Sequence, residues 1–216
     1  MLFRSNLYDN GVIVAPVAVD DAAEGESERY IVHFPVASQG IDIKYQDSLL
    51  ALNATKSGFI KLTDVRVPTA NILSTDLPGF LNDIIAPFLL VQSSFCLGLG
   101  AGALASAAQN LEASNGVFKS EFEELNSEYQ RLRGVITELA QNPENINRVE
   151  LLQLRLDASH LATKATHLEL SVVGGRGYAA GSPTARRLRE ASFLPVQSPT
   201  EGHLRVELER QKQLAG

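Results

Sequence analysis

Between Gly11 and Pro68 the apolar residues fall in short runs that predict strands. "GVIVAPVAV" (11–19) and "RYIVHFPVA" (29–37) are dense in β-branched residues and are bounded by Asp, Gly, Glu and Gln. "SGFIKLTDVRV" (57–67) alternates, with Phe59, Lys61, Thr63 and Val65 on one face and Ile60, Leu62, Asp64 and Arg66 on the other. The acidic stretch "DDAAEGESE" (20–28) reads as a turn or hairpin loop. No helix-length pattern interrupts these strands, so antiparallel pairing is expected rather than βαβ units.

From about Asp83 the period becomes helical. A first helix is expected over 84–113, stopped at Asn115-Gly116. A second covers 119–140, with Phe122, Leu125, Tyr129, Leu132, Val135, Ile136 and Leu139 on one face. "QNPENINR" (141–148) breaks the pattern, and Pro143 suits a helix start. A third helix covers 146–173, with Leu151, Leu154, Leu161, Ala165, Leu168 and Val172 inward. Shorter helices follow over 184–192 and 203–213. Long helices with short links make a bundle. The expected class is α+β: a partial antiparallel β-domain over 1–78, then a helical bundle over 79–216.

Composition narrows the partners. Apolar residues form 44% of the 216 residues, enough for a packed core, and the net charge of −6 gives no reason to expect nucleic acid or an anionic membrane. The one cysteine, Cys96, has no internal partner and sits in an apolar run, so a buried, inert thiol in a reducing compartment is expected. The N-terminus lacks the pattern of a signal peptide. The apolar segment 84–108 is as long as a membrane span, but Pro87, Gln92, Ser93, Ser94 and three glycines interrupt it, so it reads as a buried helix. A cytoplasmic location is the expectation.

The densest glycine cluster lies in "VVGGRGYAAGSPTARRLRE" (172–190). It is neither a P-loop, lacking the Lys-Ser/Thr, nor a dinucleotide fingerprint, lacking the third glycine and the preceding strand. What remains is a turn between helices, with Pro183 opening the next helix and exposed amides able to meet an anion. Arg186, Arg187 and Arg189 read either as an anion clamp or as a solvated helix face. His33, His160, His167 and His203 have no metal-ligand spacing.

Three stretches together resemble the acyl-CoA dehydrogenase family of flavoproteins. "LLALNATKSGFIKLTDVRVPTANILS" (49–74) is similar to the end of that family's middle β-domain, with the Asp-Val-Arg-Val-Pro exit at Asp64 to Pro68. "LLVQSSFCLGLGAGALASA" (89–107) is similar to the first long helix of its C-terminal bundle. "VVGGRGYAAGSPTARRLREASFLPV" (172–196) is similar to its Gly-Gly-x-Gly-Tyr turn, Pro, Arg-x-x-Arg-Asp and Leu-Pro. The resemblance implies a C-terminal four-helix bundle, FAD, an acyl-CoA substrate, and a dimer or tetramer formed through the bundles. In such enzymes a carboxylate takes the α-proton of the thioester while the flavin accepts the β-hydride.

The carried-over positions are Gly174 and Gly175 at the FAD adenine end, Ser171 at the usual Gln position, Phe118 near the FAD pyrophosphate, and Thr200 at the flavin nucleotide. Asn53 and Thr55 fall at the acyl-CoA mouth. The chain also departs from the family. In "LPVQSPTEGHL" (194–204) Ser198 stands at the base position, with Glu201 three residues on. "APFLLV" (86–91) has no alternative base, and Leu89 stands near the usual substrate-contacting arginine. "NGVFK" (115–119) has Asn115 for an arginine. The resemblance also implies that the family's N-terminal helical domain and the start of its β-domain are absent, so that a fragment, a misplaced start, or a further chain supplying that domain is expected. Three readings stay open: an N-terminally truncated, divergent FAD-dependent dehydrogenase; a non-catalytic member kept for oligomerisation or partner binding; and a flavin monooxygenase or nitroalkane-oxidase-like enzyme.

Overall fold

The computed structural model describes residues 2–18, 29–142 and 146–215. The acidic stretch 20–28 and Pro143 lie outside the described residues. The chain divides into two compact units, Met1–Ile84 and Ile85–Gly216.

The first unit holds two three-stranded antiparallel sheets. Its strands are β1 (Leu2–Arg4), β2 (Val12–Ala18), β3 (Arg29–Pro35), β4 (Ile41–Tyr45), β5 (Gly58–Leu62) and β6 (Ile72–Ser74). One sheet has the order β1-β5-β4 and the other β2-β3-β6. The antiparallel expectation holds. The long alternating run 57–67 is shorter as a strand than its pattern, because Asp64 takes a left-handed φ of 51° and turns the chain after Leu62. Ile60 is buried while Phe59 beside it faces out, as period two requires. The unit's core comprises Leu7, Ile13, Ala15, Val32, Phe34, Val36 and Ile60.

The second unit is built from helices α1 (Leu77–Ala108, which begins in the first unit), α2 (Lys119–Gln141), α3 (Arg148–Val173), α4 (Gly175–Tyr178), α5 (Pro183–Ala191) and α6 (Glu201–Ala215). Helix α1 starts before the expected residue 84: the Asp76 carboxylate accepts from the Gly79 amide at 3.0 Å, an N-cap, and Pro78 is tolerated in the first turn. It also stops short of the expected Asn115-Gly116. The Asn110 side chain donates to the Ser106 carbonyl at 2.8 Å and satisfies the last turn, and a 3₁₀ turn over Ala113–Phe118 follows. Helix α2 matches its predicted bounds to one residue, and every predicted inward residue packs on the core. Asn147 caps α3, its side chain accepting from the amides of Val149 and Glu150.

Helix α1 is long and apolar enough to cross a membrane by length and composition. Its residues Leu89, Leu90, Cys96, Leu97, Ala103, Leu104 and Ala107 nonetheless belong to the bundle core, beside Leu151, Leu154, Leu161 and Leu168 of α3. Gly100 faces the Ala162 backbone, and a Cβ there would lie in ordinary van der Waals contact with it at 3.5 Å. Cys96 is buried, as expected, and burial pushes its thiol above its ordinary pKa, although Arg155 acts in the other direction.

Candidate functional site

The glycine turn is a helix end. Helix α3 closes at Val173, and Gly174 takes φ 68°, with its amide donating to the Leu170 carbonyl at 2.9 Å. Only glycine adopts this conformation without strain. Chain neighbours and the turn's own helix backbone apart, no atom of the described residues lies within 4 Å of where a Cβ on Gly174 or Gly175 would project, so that side of the turn is open. Ser182 caps α5, accepting from the Ala185 amide at 3.0 Å, with Pro183 in the first turn as expected.

The neighbours of this turn are partly turned inward. Ser171 is exposed and donates to the His167 carbonyl within its own helix. Phe118 is half-buried and packs on the bundle core. Asn115 donates to the Asn110 carbonyl at 2.7 Å and to the Val172 carbonyl at 2.8 Å, tying the 3₁₀ turn to the end of α3.

The possible arginine clamp on α5 does not form. Arg187 turns into the bundle and donates through Nε and Nη2 to the carboxylate of Glu169, which also accepts from Thr184 at 2.7 Å. Arg186 pairs with Glu190 on the exposed face, and Arg189 donates to the Ala180 carbonyl. Burial opposes ionisation of Glu169, but hydrogen bonds from Arg187, Thr184 and Ser106 outweigh it and hold the carboxyl below its ordinary value.

The second candidate cluster is the stretch from Leu194 to Glu201. Ser198 presents its carbonyl to the Gln92 side chain at 2.8 Å. The Thr200 hydroxyl accepts from the His203 amide at 3.4 Å at the start of α6. Glu201 is the first residue of that helix; its amide donates to the Pro195 carbonyl, and its carboxylate pairs with Arg205 on the same helix and with His160 of α3 at 3.2 Å. The Arg205 hydrogen bond first, then that of His160, holds its carboxyl below the ordinary value.

In the first unit, Asn53 and Thr55 form one 3₁₀ turn. The Asn53 amide both accepts from and donates to the Leu49 backbone, and Thr55 donates to the Leu52 carbonyl. Both side chains are engaged within the turn. A cleft of about 740 Å³ lined by Arg131, Leu132, Val135, Leu154, Asp157 and Lys212 includes none of the candidate residues.

Among the buried polar residues to which the sequence reading gave no role are Arg155 and Gln92. Arg155 is fully buried on α3, and Gln92 is nearly so on α1. The available signal was a polar residue at an inward position of an apolar helix.

The comparisons with known proteins bear on this geometry. No family model matches the chain. A probable acyl-CoA dehydrogenase of Bacillus subtilis (strain 168) is 24% identical over 94% of this chain, which spans 57% of that relative's length. The structure of a glutaryl-coenzyme A dehydrogenase in complex with glutaryl-CoA superposes with a TM-score of 0.85 at 17% identity, over 97% of this chain and 56% of that one. The chain resembles the acyl-CoA dehydrogenases in sequence and has their fold. A nitroalkane oxidase crystallized with 1-nitrohexane shares the fold, with a TM-score of 0.80 at 13% identity over 93% of this chain and 55% of that one. The acyl-CoA dehydrogenase fold therefore hosts more than one chemistry, and the site has to decide between them.

Proposed function

We propose that the chain is part of an FAD-dependent, acyl-CoA dehydrogenase-like oxidoreductase that takes an acyl-CoA thioester and forms an α,β-double bond. The observation that carries this reading is the open glycine turn at Gly174 and Gly175, on a chain similar to an acyl-CoA dehydrogenase over almost its whole length. The turn suits the flat adenine end of FAD, because among the described residues the space beside Gly174 and Gly175 where a side chain would project is empty. Ser171 and Thr200 are the polar groups assigned to the cofactor, with Phe118 supporting the turn from the core side. Asn53 and Thr55 are assigned to the mouth of the acyl-CoA site, where they shape the backbone rather than offer free side chains. FAD, when bound, would supply the oxidant for the substrate.

Glu201 is the carboxylate assigned to proton abstraction. At neutral pH it is ionised and ready to accept, but Arg205 and His160 lower its basicity. To take a proton from carbon it must exchange the Arg205 contact for the substrate. Ser198, at the position the resemblance gives the base, faces Gln92 through its carbonyl and has no acid-base chemistry to offer in that role. We assign the assembled protein a homo-oligomeric state, dimer or tetramer, and a cytoplasmic location.

The purified protein tests the reading. Yellow colour with flavin absorbance that an acyl-CoA bleaches without oxygen supports it. Colourless protein that takes up no added FAD rejects it. Oxygen-dependent product formation from a nitroalkane would instead favour the oxidase chemistry that the same fold hosts.

A further inference from the structure

The side chain of Arg155 has no solvent exposure and, among the described residues, no carboxylate partner. Its contacts are all neutral. Nε donates to the Gln92 side-chain oxygen at 3.1 Å, and Nη2 donates to the Leu194 carbonyl at 3.4 Å and the Gln197 side-chain oxygen at 3.2 Å. Among the described residues Nη1 has no partner at all. Burying a guanidinium without a counter-charge is expensive, and replacing buried charged groups by well-packed apolar ones is often neutral or stabilising. The arginine therefore does something that packing does not require.

Its partners show what that is. Leu194 and Gln197 lie in the non-helical stretch between α5 and α6, and Gln92 passes the network on to the Ser198 carbonyl in the same stretch. Two points of that segment are thus held through Arg155 Nη2 and a third through Gln92, which Arg155 Nε holds in turn, a two-armed reach that the planar guanidinium offers and ammonium does not. The segment's own bonds are turns: the Gln197 amide donates to the Phe193 carbonyl and the Glu201 amide to the Pro195 carbonyl. Its end delivers Thr200 and Glu201.

We propose that Arg155 and Gln92 are positioning residues that fix the course of Leu194–Ser198 and so set where Thr200 and Glu201 stand. The consequence for catalysis rests on the dehydrogenase reading; the clamp itself does not. The test compares the full chain with Arg155→Met, Arg155→Lys and Gln92→Leu by amide hydrogen exchange, and then by the rate at which an acyl-CoA bleaches the bound flavin. Arg155→Met and Gln92→Leu are expected to raise exchange at the Gln197 and Glu201 amides by about tenfold or more while the centre of α2 is unchanged. Bleaching slows by about tenfold with flavin content unaltered, and Arg155→Lys recovers part of both effects. Exchange that rises equally in α2 and in the segment, or not at all, overturns the proposal and leaves Arg155 as ordinary core. If Arg155→Met does not fold, Gln92→Leu and Gln197→Leu decide by the same exchange criterion. Colourless parent protein defeats the flavoenzyme reading, and the exchange result still judges the clamp.

Discussion

Arg187 and Glu169 meet in a two-pronged ion pair between α5 and α3, and the Glu169 carboxylate is completely buried. Thr184 supplies a further hydrogen bond. Cutting such a pair strands a charge in the core. Arg187→Met is expected to destabilise the bundle by about 3–5 kcal/mol in chemical denaturation, and Glu169→Gln by a smaller amount because the amide keeps some of the hydrogen bonds.

The same carboxyl carries a pH signature. Its folded pKa lies below the unfolded one, so its contribution is fully present above the unfolded value, about 4.3 for a glutamate, and is lost as pH falls through the lower folded value. Thermal unfolding between pH 7 and pH 3 is therefore expected to show an acid loss of stability. In Glu169→Gln that loss should be visibly shallower; an unchanged acid slope would show that other carboxylates dominate it.

Removing Arg205 is expected to raise the Glu201 pKa toward its ordinary value, since Arg205 is the main cause of its depression. If Glu201 is the base, the acid limb of the pH profile for flavin bleaching moves to higher pH in Arg205→Leu, and Glu201→Gln slows bleaching by about 10²-fold or more. A limb that stays put in Arg205→Leu removes Glu201 from that role.

Asn115→Ala removes the side-chain hydrogen bonds to the Asn110 and Val172 carbonyls, the second of which ties the 3₁₀ turn to the end of α3. A cost of about 1–2 kcal/mol is expected, together with faster amide exchange at Gly174 and Gly177.

Gly134 sits inside α2, and a methyl group added there would meet no neighbouring side chain or other element within 4 Å. Gly134→Ala should therefore raise stability by about 0.5–1 kcal/mol, read as a higher midpoint in denaturant.

These expectations divide by what the sequence exposes. Helix α2 was readable to within a residue because its apolar positions form a single stripe on a charged helix. On α3 the six named inward residues are buried, but so are Leu152, Arg155, Leu156 and Glu169, because that helix is enclosed on more than one face. The turn at Gly174, which only glycine can make, was readable. The start of α1 was not, because Asp76-Leu77-Pro78-Gly79 looks like a turn until the Asp76 cap is seen. Strand β4, Ile41–Tyr45, was hidden by its charged residues Asp42 and Lys44. Arg187 was left open between clamp and solvated face because its partner lies on another helix. The site shows the same divide: Gly174 and Gly175 advertise themselves, whereas the ties of Asn115 to Val172 and of Glu201 to His160 depend on contacts that no local pattern encodes.

Two α3 residues, five positions apart, hold the stretch ahead of α6 and the first residue of α6. Arg155 grips the stretch at Leu194 and Gln197, and His160 grips Glu201. Five residues of helix correspond to about 7.5 Å of rise, a length that an α-helix does not change under modest load. Helix α3 thus serves as a gauge bar for the span between Leu194 and Glu201. A one-residue insertion between Arg155 and His160 would turn one grip about 100° away from the other, misplacing Glu201 while leaving both contact residues chemically intact.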